Sequence, residues 1–515
     1  MAIPLYLVTA ALLAAPAPAL PAPAPPTRVP AGERLSHGEV LRQAVRLNRD
    51  LKRASLDLAK ARQDVRAAKG TYDTVLSAGV SYEQSTSVPV EGLNIQTLRR
   101  RALDYSLSAS QKLPTGGTVT LGLGTSWSSS TSRFSFGTGD PFENQSASWN
   151  TGVTLTVKHP LLKGIGMDVN MAAIRQAKLA RDAVRWTVHA KARAVVRDLL
   201  KAYLDVVEAE AAVRVQLEAV AQAERDLKRV RALEGAGRMA PLELVDYRFA
   251  VAQQQRLLLE ARTTWLQASL ALRLAMGQKI EPGRQLVSAA LPTSPHTGAL
   301  PTAKQASRAA LGSSRELAAA KKELQINRIT LTTTKRDTWP SLDLTASVGP
   351  MGQSDKFGGA HETMLKWKSI GWSVGLSFSY LVGNRAAKAA AAKARLEVKR
   401  KQVDIAALRQ TLVAEATKTV ALLKLQQKLM ATTRAEVALA RLRLDNERKK
   451  KAAGRSSAYV LLQIQNDLTK ARHKAFSARV GFLKRRIELA ALMGDLLPRW
   501  GLHMSKGAGV RVGSR

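Results

Sequence analysis

The residue types that usually carry chemistry are sparse in this chain, and their spacing narrows what it can do. There is no cysteine, which excludes disulfides, thiolate metal sites, a thiol nucleophile and an N-terminal lipid-modified cysteine. Seven histidines stand at 37, 159, 189, 296, 361, 473 and 503, and no two have the helical spacing at which imidazoles share a metal. Nor is there a phosphate-binding loop, a Gly-x-Ser-x-Gly elbow, or a pair of carboxylates isolated in an apolar stretch. Catalytic residues, metal sites and cofactors are therefore expected to be none.

What remains is charge. Lys and Arg number 79 against 40 Asp and Glu, an excess of 39, which predicts attraction to nucleic acid, lipid headgroups or an acidic protein. The densest knot is Arg-Lys-Lys-Lys at 448–451, followed by Ala-Gly-Arg at 453–455. A second Ala-Gly-Arg occupies 236–238. Each interrupts a long alanine-rich, helix-forming tract, and glycine is the residue that a helix reversal needs. Pro241 suits the first turn of a returning helix, where a missing N–H does no harm.

The elements that must position these turns follow from periodicity. Residues 34–70 and 301–336 read as helices, and 168–233 and 385–451 as much longer ones of roughly 100 Å. A heptad frame runs through Leu199, Tyr203, Val206, Glu210, Val213, Leu217, Val220, Glu224 and Leu227. Alternation marks four strands, 75–84, 103–113, 118–128 and 148–158, and later two more, 341–349 and 370–380. Gly277 and Gly494 end the returning helices, each 40 positions beyond the glycine of its Ala-Gly-Arg. An internal duplication accounts for this. The first repeat is 33–277, with its tip turn at 234–241; the second is 301–494, with its tip turn at 452–457. Residues 278–300 form a linker between them, and 495–515 a basic, loose tail. The lengths predict an antiparallel helical wall that reverses at each Ala-Gly-Arg, with strand hairpins at the far end. Pro160 and Pro340 stand where strand and helix meet, since proline ends helices and favours extended backbone before it.

Residues 1–32 hold an apolar run from Ile3 to Ala15, small residues and a Pro/Ala spacer. They read as an export signal, although the usual basic residue before the run is missing. No other stretch reaches the roughly 18 apolar residues of a membrane helix, so a membrane-spanning form must be a barrel. Six strands are too few to close a wide one, so several chains must share it. A soluble β-sandwich on helical stalks is the competing reading.

The most specific stretches are "AGRMAPLELVDYRFAVAQQQRLLLEARTTWLQASLALRLAMG" with its echo at 453–494, "VKHPLLKGIG" at 157–166, and "WPSLDLTASVG" at 339–349. In these and in the order of elements, the chain resembles the outer-membrane efflux protein (TolC) family from about 34 to 497. The resemblance implies a mainly α fold with a β-barrel portion, in which long antiparallel coiled-coil helices form a periplasmic α-barrel beneath a shared transmembrane β-barrel. It implies a homotrimer in the outer membrane, extending into the periplasm, with 278–300 in its equatorial region. Its partners would be outer-membrane lipid, a periplasmic adaptor protein and an inner-membrane pump. Such a chain is no enzyme but the passive exit duct of a tripartite efflux or type I secretion system.

Carried over, the adaptor-docking tip comprises Gly237, Arg238, Met239, Leu242, Gly454, Arg455 and Ser456. Acidic rings of the family fall here on Val460 and Gln463, with Glu243 the nearest carboxylate; with Lys451 these are the candidate gate and tip-lining residues. Like charges in the basic knot would repel, so an acidic adaptor tip or bound anions are expected to offset them. The family usually has two strands per repeat, whereas this chain has four and two. Either a trimer makes a barrel of about eighteen strands, or the 103–130 hairpin packs elsewhere. Two further alternatives are a periplasmic coiled-coil structural or adaptor protein and a basic nucleic-acid-binding coiled coil. Nucleic acid is not an expected partner, because no aromatic residues interleave with the basic ones.

Overall fold

The computed structural model describes residues 33–88, 95–134, 142–237, 241–280, 286–291, 300–504 and 510–512. The export signal and spacer expected at 1–32 lie outside the described residues. Two long helices dominate, α4 (Ala172–Gly235, 64 residues) and α9 (Arg385–Ala452, 68 residues). Each spans about 100 Å at 1.5 Å per residue. Each returns as a helix of 36 residues, α5 (Pro241–Met276) and α10 (Ala458–Met493). The equal lengths are the structural form of the duplication.

The tract at 34–70, expected as one helix, is two: α1 (His37–Leu47) and α2 (Arg49–Lys69). Its counterpart at 301–336 is likewise α6 (Ala303–Ser313) and α7 (Arg315–Arg336). Asn48 and Ser314 take extended backbone (ψ 122° and 116°), and their side chains accept hydrogen bonds from the Leu51 and Leu317 amides. A polar residue that caps a new helix without a proline leaves the apolar period intact, so the break is silent in the pattern. The breaks are used for packing. Asn48 Nδ2 donates to the Ala275 carbonyl (2.8 Å), and Ser313 Oγ to that of Leu492 (3.1 Å). Each short pair thereby docks where a returning helix ends.

The main core lies midway along the rod. Leu199, Tyr203, Val206, Val213 and Val220 of the heptad frame are at most 1% exposed and pack with Leu258, Trp265 and Leu272 of α5. The 278–300 linker holds a strand, β6 (Val287–Ala289), paired in parallel with β1 (Glu33–Leu35). Fully buried Trp265 donates its indole N–H to the Val287 carbonyl (2.9 Å), and Tyr203 its hydroxyl to that of Ala290 (2.8 Å). Glu210, 3% exposed, accepts from the Ala289 amide (2.9 Å) and Arg214 (2.5 Å). The heptad carboxylate is thus satisfied by the linker backbone, as a buried charge must be. The tail is not simply loose, as expected, because α11 (Leu496–Arg499) and β9 (Leu502–Met504) follow Gly494, and β9 pairs with β10 (Val510–Val512). Leu496 and Leu502 are at most 1% exposed. Apolar residues interspersed in a basic tail anchor it to the core.

Six strands form one antiparallel sheet: β2 (Val75–Thr86), β3 (Ile95–Lys112), β4 (Thr118–Phe134), β5 (Phe142–Pro160), β7 (Ser341–Ser354) and β8 (Ile370–Ser379), in the order β2-β3-β4-β5-β7-β8. The 103–130 hairpin lies inside this sheet rather than elsewhere. Register gathers the apolar residues on one face: Val80 stands opposite Tyr105, Leu107 opposite Leu123, Leu155 opposite Val348, and Val348 opposite Trp372. That face is exposed, with Leu76 at 75% and Trp372 at 76%. The other face carries Ser and Gly. A nine-residue helix, α8 (Phe357–Leu365), sits between β7 and β8. No helix among the described residues is long and apolar enough to cross a membrane.

Where sheet meets rod, a short α3 (Met167–Asn170) precedes α4. Pro160 and Pro340 are brought together here, since the Leu161 and Lys163 amides donate to the Leu342 and Pro340 carbonyls (2.6 and 3.2 Å). The exit into α9 has no proline; Gly383 (φ +84°) and Asn384 (φ +40°) turn it through left-handed backbone instead. Asparagine is among the few residues that enter this region readily, and the Asn384 side chain ties the turn to the junction by donating to the Thr338 carbonyl (3.1 Å).

Candidate functional site

Both helical reversals use one backbone device. Gly237 has φ +70° and Gly454 φ +72°. After α9 the Arg455 amide donates to the Lys450 carbonyl (2.9 Å) and the Gly454 amide to that of Lys451 (3.0 Å). This is the left-handed glycine cap that satisfies carbonyls orphaned at a helix end. Ser457, next to the expected Ser456, restarts the chain by accepting from the Val460 amide (3.3 Å). Of the residues expected to dock an adaptor, Arg238 and Met239 lie outside the described residues. Leu242 is 79% exposed. It heads an apolar stripe with exposed Val245 and Phe249 on α5, and exposed Tyr459 flanks the other turn. These three were missed, although the spacing i, i+3, i+7 around Leu242 was legible.

The candidate gate residues divide. Lys451 Nζ lies 2.9 Å from Glu243 Oε2, an ion pair joining the end of the second long helix to the start of the first returning helix. Val460 and Gln463 are exposed, on the first turns of α10. Part of the charge of the basic knot is met within the chain, at its three lysines. Lys449 pairs with Asp445 (3.1 Å) and Lys450 with Glu447 (3.8 Å). Glu447 also receives the Ser456 hydroxyl. Carboxylates one helical turn back on α9 lie on the same face as the lysines.

From this tip to the equator, the seam between the repeats is polar. Along α4 and α10, Asp226 accepts from Gln465 (3.2 Å), Glu218 pairs with Arg472 (3.4 Å), Glu208 with Lys484 (2.9 Å) and Glu488 with Lys201 (2.7 Å). Inside, Gln254 of the first repeat donates to Asn466 of the second (2.6 Å), and Asn466 donates to Gln253 (3.2 Å). Such contacts exchange readily for water, whereas the α4–α5 face within the first repeat is mainly apolar, with the buried Gln216–Gln254 pair (2.6 Å) as its polar exception. The repeats can therefore shift on one another more cheaply than either can open.

An apolar plug closes the tip end of that seam: Val230, Leu244, Tyr247 and Ala458. Burial, followed by the nearby Asp226 and Glu243 charges, pushes the Tyr247 phenol up to about 12. A raised folded value means that the phenol's contribution is intact below the unfolded value of about 10 and lost as pH rises through about 12. Thermal stability is expected to fall across that window, and Tyr247→Phe to flatten the fall; an unchanged profile would show that the tip is not limiting.

The "Outer membrane efflux protein" family profile matches residues 104–278 and 306–495, one stretch in each repeat. The chain belongs to the outer membrane efflux protein family. Solved structures with the same fold include the CmeC outer membrane channel of Campylobacter jejuni (TM-score 0.65, 13% identity, 89% of this chain and 86% of that one). The outer membrane protein VceC of Vibrio cholerae is another (0.63, 14%, 89% and 96%), as is the open state of the MtrE channel of Neisseria gonorrhoeae (0.57, 18%, 89% and 89%). No curated protein sequence matches significantly. Membership places this efflux protein in the outer membrane, with its helical rod extending into the periplasm, in a family of channels rather than enzymes.

Proposed function

We propose that this efflux protein is the passive exit duct of a tripartite efflux or type I secretion system, working as a homotrimer with a periplasmic adaptor and an inner-membrane pump. The observation that carries the reading is the sheet with two unpaired edges, β2 and β8, whose residues are almost all exposed. Exposed apolar edge strands are an aggregation hazard unless another chain completes them. Three such sheets, edge to edge, would close a barrel of about eighteen strands, a size that encloses water. Gly237, Arg238, Met239, Leu242, Gly454, Arg455 and Ser456 then form the adaptor surface, with the Leu242 stripe as its apolar anchor. Glu243 and Lys451 act in the gate, and Val460 and Gln463 line the tip.

The chain has no native cysteine, which makes the test clean. Cysteines scanned along residues 75–86, each combined with Val374→Cys, are expected to yield a covalent trimer at some register. The unmodified protein should conduct in planar bilayers. Failure of every pair to cross-link across chains, or release of the protein by osmotic shock, would sink the proposal.

A further inference from the structure

The apolar face of the sheet faces lipid in an outer-membrane channel, and one interruption of it is unexplained by conduction. At the level of Val80 and Tyr105 the register continues through Thr125, Thr151 and Gly352. Two hydroxyls would therefore face hydrocarbon, where an unsatisfied polar group is costly. They do not, because α8 lies across them. Thr125 and Thr151 hydrogen-bond to each other (2.8 Å) and are at most 7% exposed, and His361 Nε2 stands 3.5 Å from Thr125 Oγ1. Ala360 and Met364 are buried, and Phe357 meets Trp149 edge-on at 5.0 Å. Gly352 admits the helix, since a side chain there would collide with the Ala360 carbonyl.

This strap lies on the outside of the sheet, at the end away from the rod. Its own outer surface has a distinct composition. Phe357, Leu365 and Trp367 are 52–70% exposed, and Lys356, Lys366 and Lys368 stand among them, all exposed. Lys366 pairs with Glu362; Lys356 and Lys368 have no ion pair among the described residues. Asp355 is the other carboxylate of the strap. Register puts Arg99, Arg101 and Arg133 on the same face of the same end, with Glu143 opposite Arg133. Arg101 Nε is buried and has no hydrogen-bond partner among the described residues. Aromatic anchors with flanking cations are what a membrane–water interface selects, ring in the acyl boundary and charge toward phosphate.

We propose that α8 and, farther out on the same sheet face, the Arg99–Arg101 segment form a binding surface for the phosphate-bearing glycolipid of the outer leaflet. The strap's aromatic side chains enter its acyl region, and Lys356, Lys368 and Arg101 meet its phosphates. The surface is continuous with the lipid-facing sheet, and its sign complements an anionic headgroup. The inference rests on the outer-membrane placement of the sheet and not on the conduit reading, so a loss of conductance would leave it standing.

The test uses the full-length protein in detergent, titrated with diphosphoryl lipid A and with its dephosphorylated form, bound lipid being counted by native mass spectrometry. The wild-type protein is expected to favour the diphosphoryl form by about ten-fold, and K356Q/K366Q/K368Q to lose that preference, since each cation near an anionic surface is worth on the order of a few-fold. Equal affinity for both lipids, or an unchanged preference in the triple variant, would overturn the proposal. Should the triple variant fail to show heat-modifiable migration, Lys368→Gln alone replaces it. Independently, brominated lipid in nanodiscs should quench tryptophan emission less in Trp367→Phe than in the wild type. Identical quenching would place the strap outside the bilayer boundary and would also overturn it.

Discussion

Lys451→Glu is expected to open the tip. The substitution replaces the 2.9 Å ion pair with Glu243 by two facing carboxylates, beside Glu447 and Asp445, which lose none of their charge. For a partly exposed pair the lost attraction and new repulsion together amount to about 1–2 kcal/mol. In the proposed trimer the change occurs three times around one ring. A shift on the order of 3–6 kcal/mol moves a closed-to-open ratio by at least a hundred-fold. Single-channel recording should show a raised open fraction, and cells should admit a large antibiotic otherwise excluded. The double variant E243K/K451E restores the attraction with its polarity reversed, and should return most of the closed behaviour. If the single variant conducts like the parent, the ion pair is not part of the gate. If the double variant is as open as the single, the effect belongs to lysine's packing and not to its charge.

The second large effect concerns glycines that look alike in sequence. Gly237, Gly277, Gly454 and Gly494 all have φ between +70° and +88°, and alanine in that conformation costs about 1–2 kcal/mol. The tip pair has open space where a Cβ would go. Gly277 does not: a Cβ there would lie 2.5 Å from the Leu47 carbonyl oxygen, and at Gly494 it would collide with the Ser313 side chain. Relieving such contacts adds about 1–3 kcal/mol, because they close the joint where a broken short helix meets a returning helix. Gly277→Ala and Gly494→Ala should therefore lower the temperature of thermal unfolding markedly more than Gly237→Ala and Gly454→Ala. Four equal decrements would show that backbone conformation alone is at stake.

Much of this architecture was legible beforehand, for a definite reason. Glycine at a left-handed cap, proline at a first turn and apolar residues at heptad spacing each report a local constraint, and a repeated local constraint reports a duplication. The Leu242, Val245, Phe249 stripe was equally local and could have been found. The breaks at Asn48 and Ser314 could not, because a capping side chain interrupts the backbone without disturbing the apolar period. Nor could the strand at 287–289, whose formation depends on Trp265, Glu210 and Tyr203 lying beneath it.

The two long helices, their reversals, the alternating strands and the family resemblance can all be read from the amino-acid order. Those rest on periodicity and backbone chemistry, which act over a few residues. That six strands share one sheet, that α8 covers two hydroxyls on its lipid face, and that Lys451 of one repeat meets Glu243 of the other emerge from the folded chain alone. Each of these joins residues tens to hundreds of positions apart, and nothing local distinguishes a lysine that finds a distant carboxylate from one that stays solvated. The basic knot at 448–451 shows the difference: the carboxylates one turn behind Lys449 and Lys450 are local to α9, whereas the pairing of Lys451 with Glu243 follows from where α9 and α5 come together.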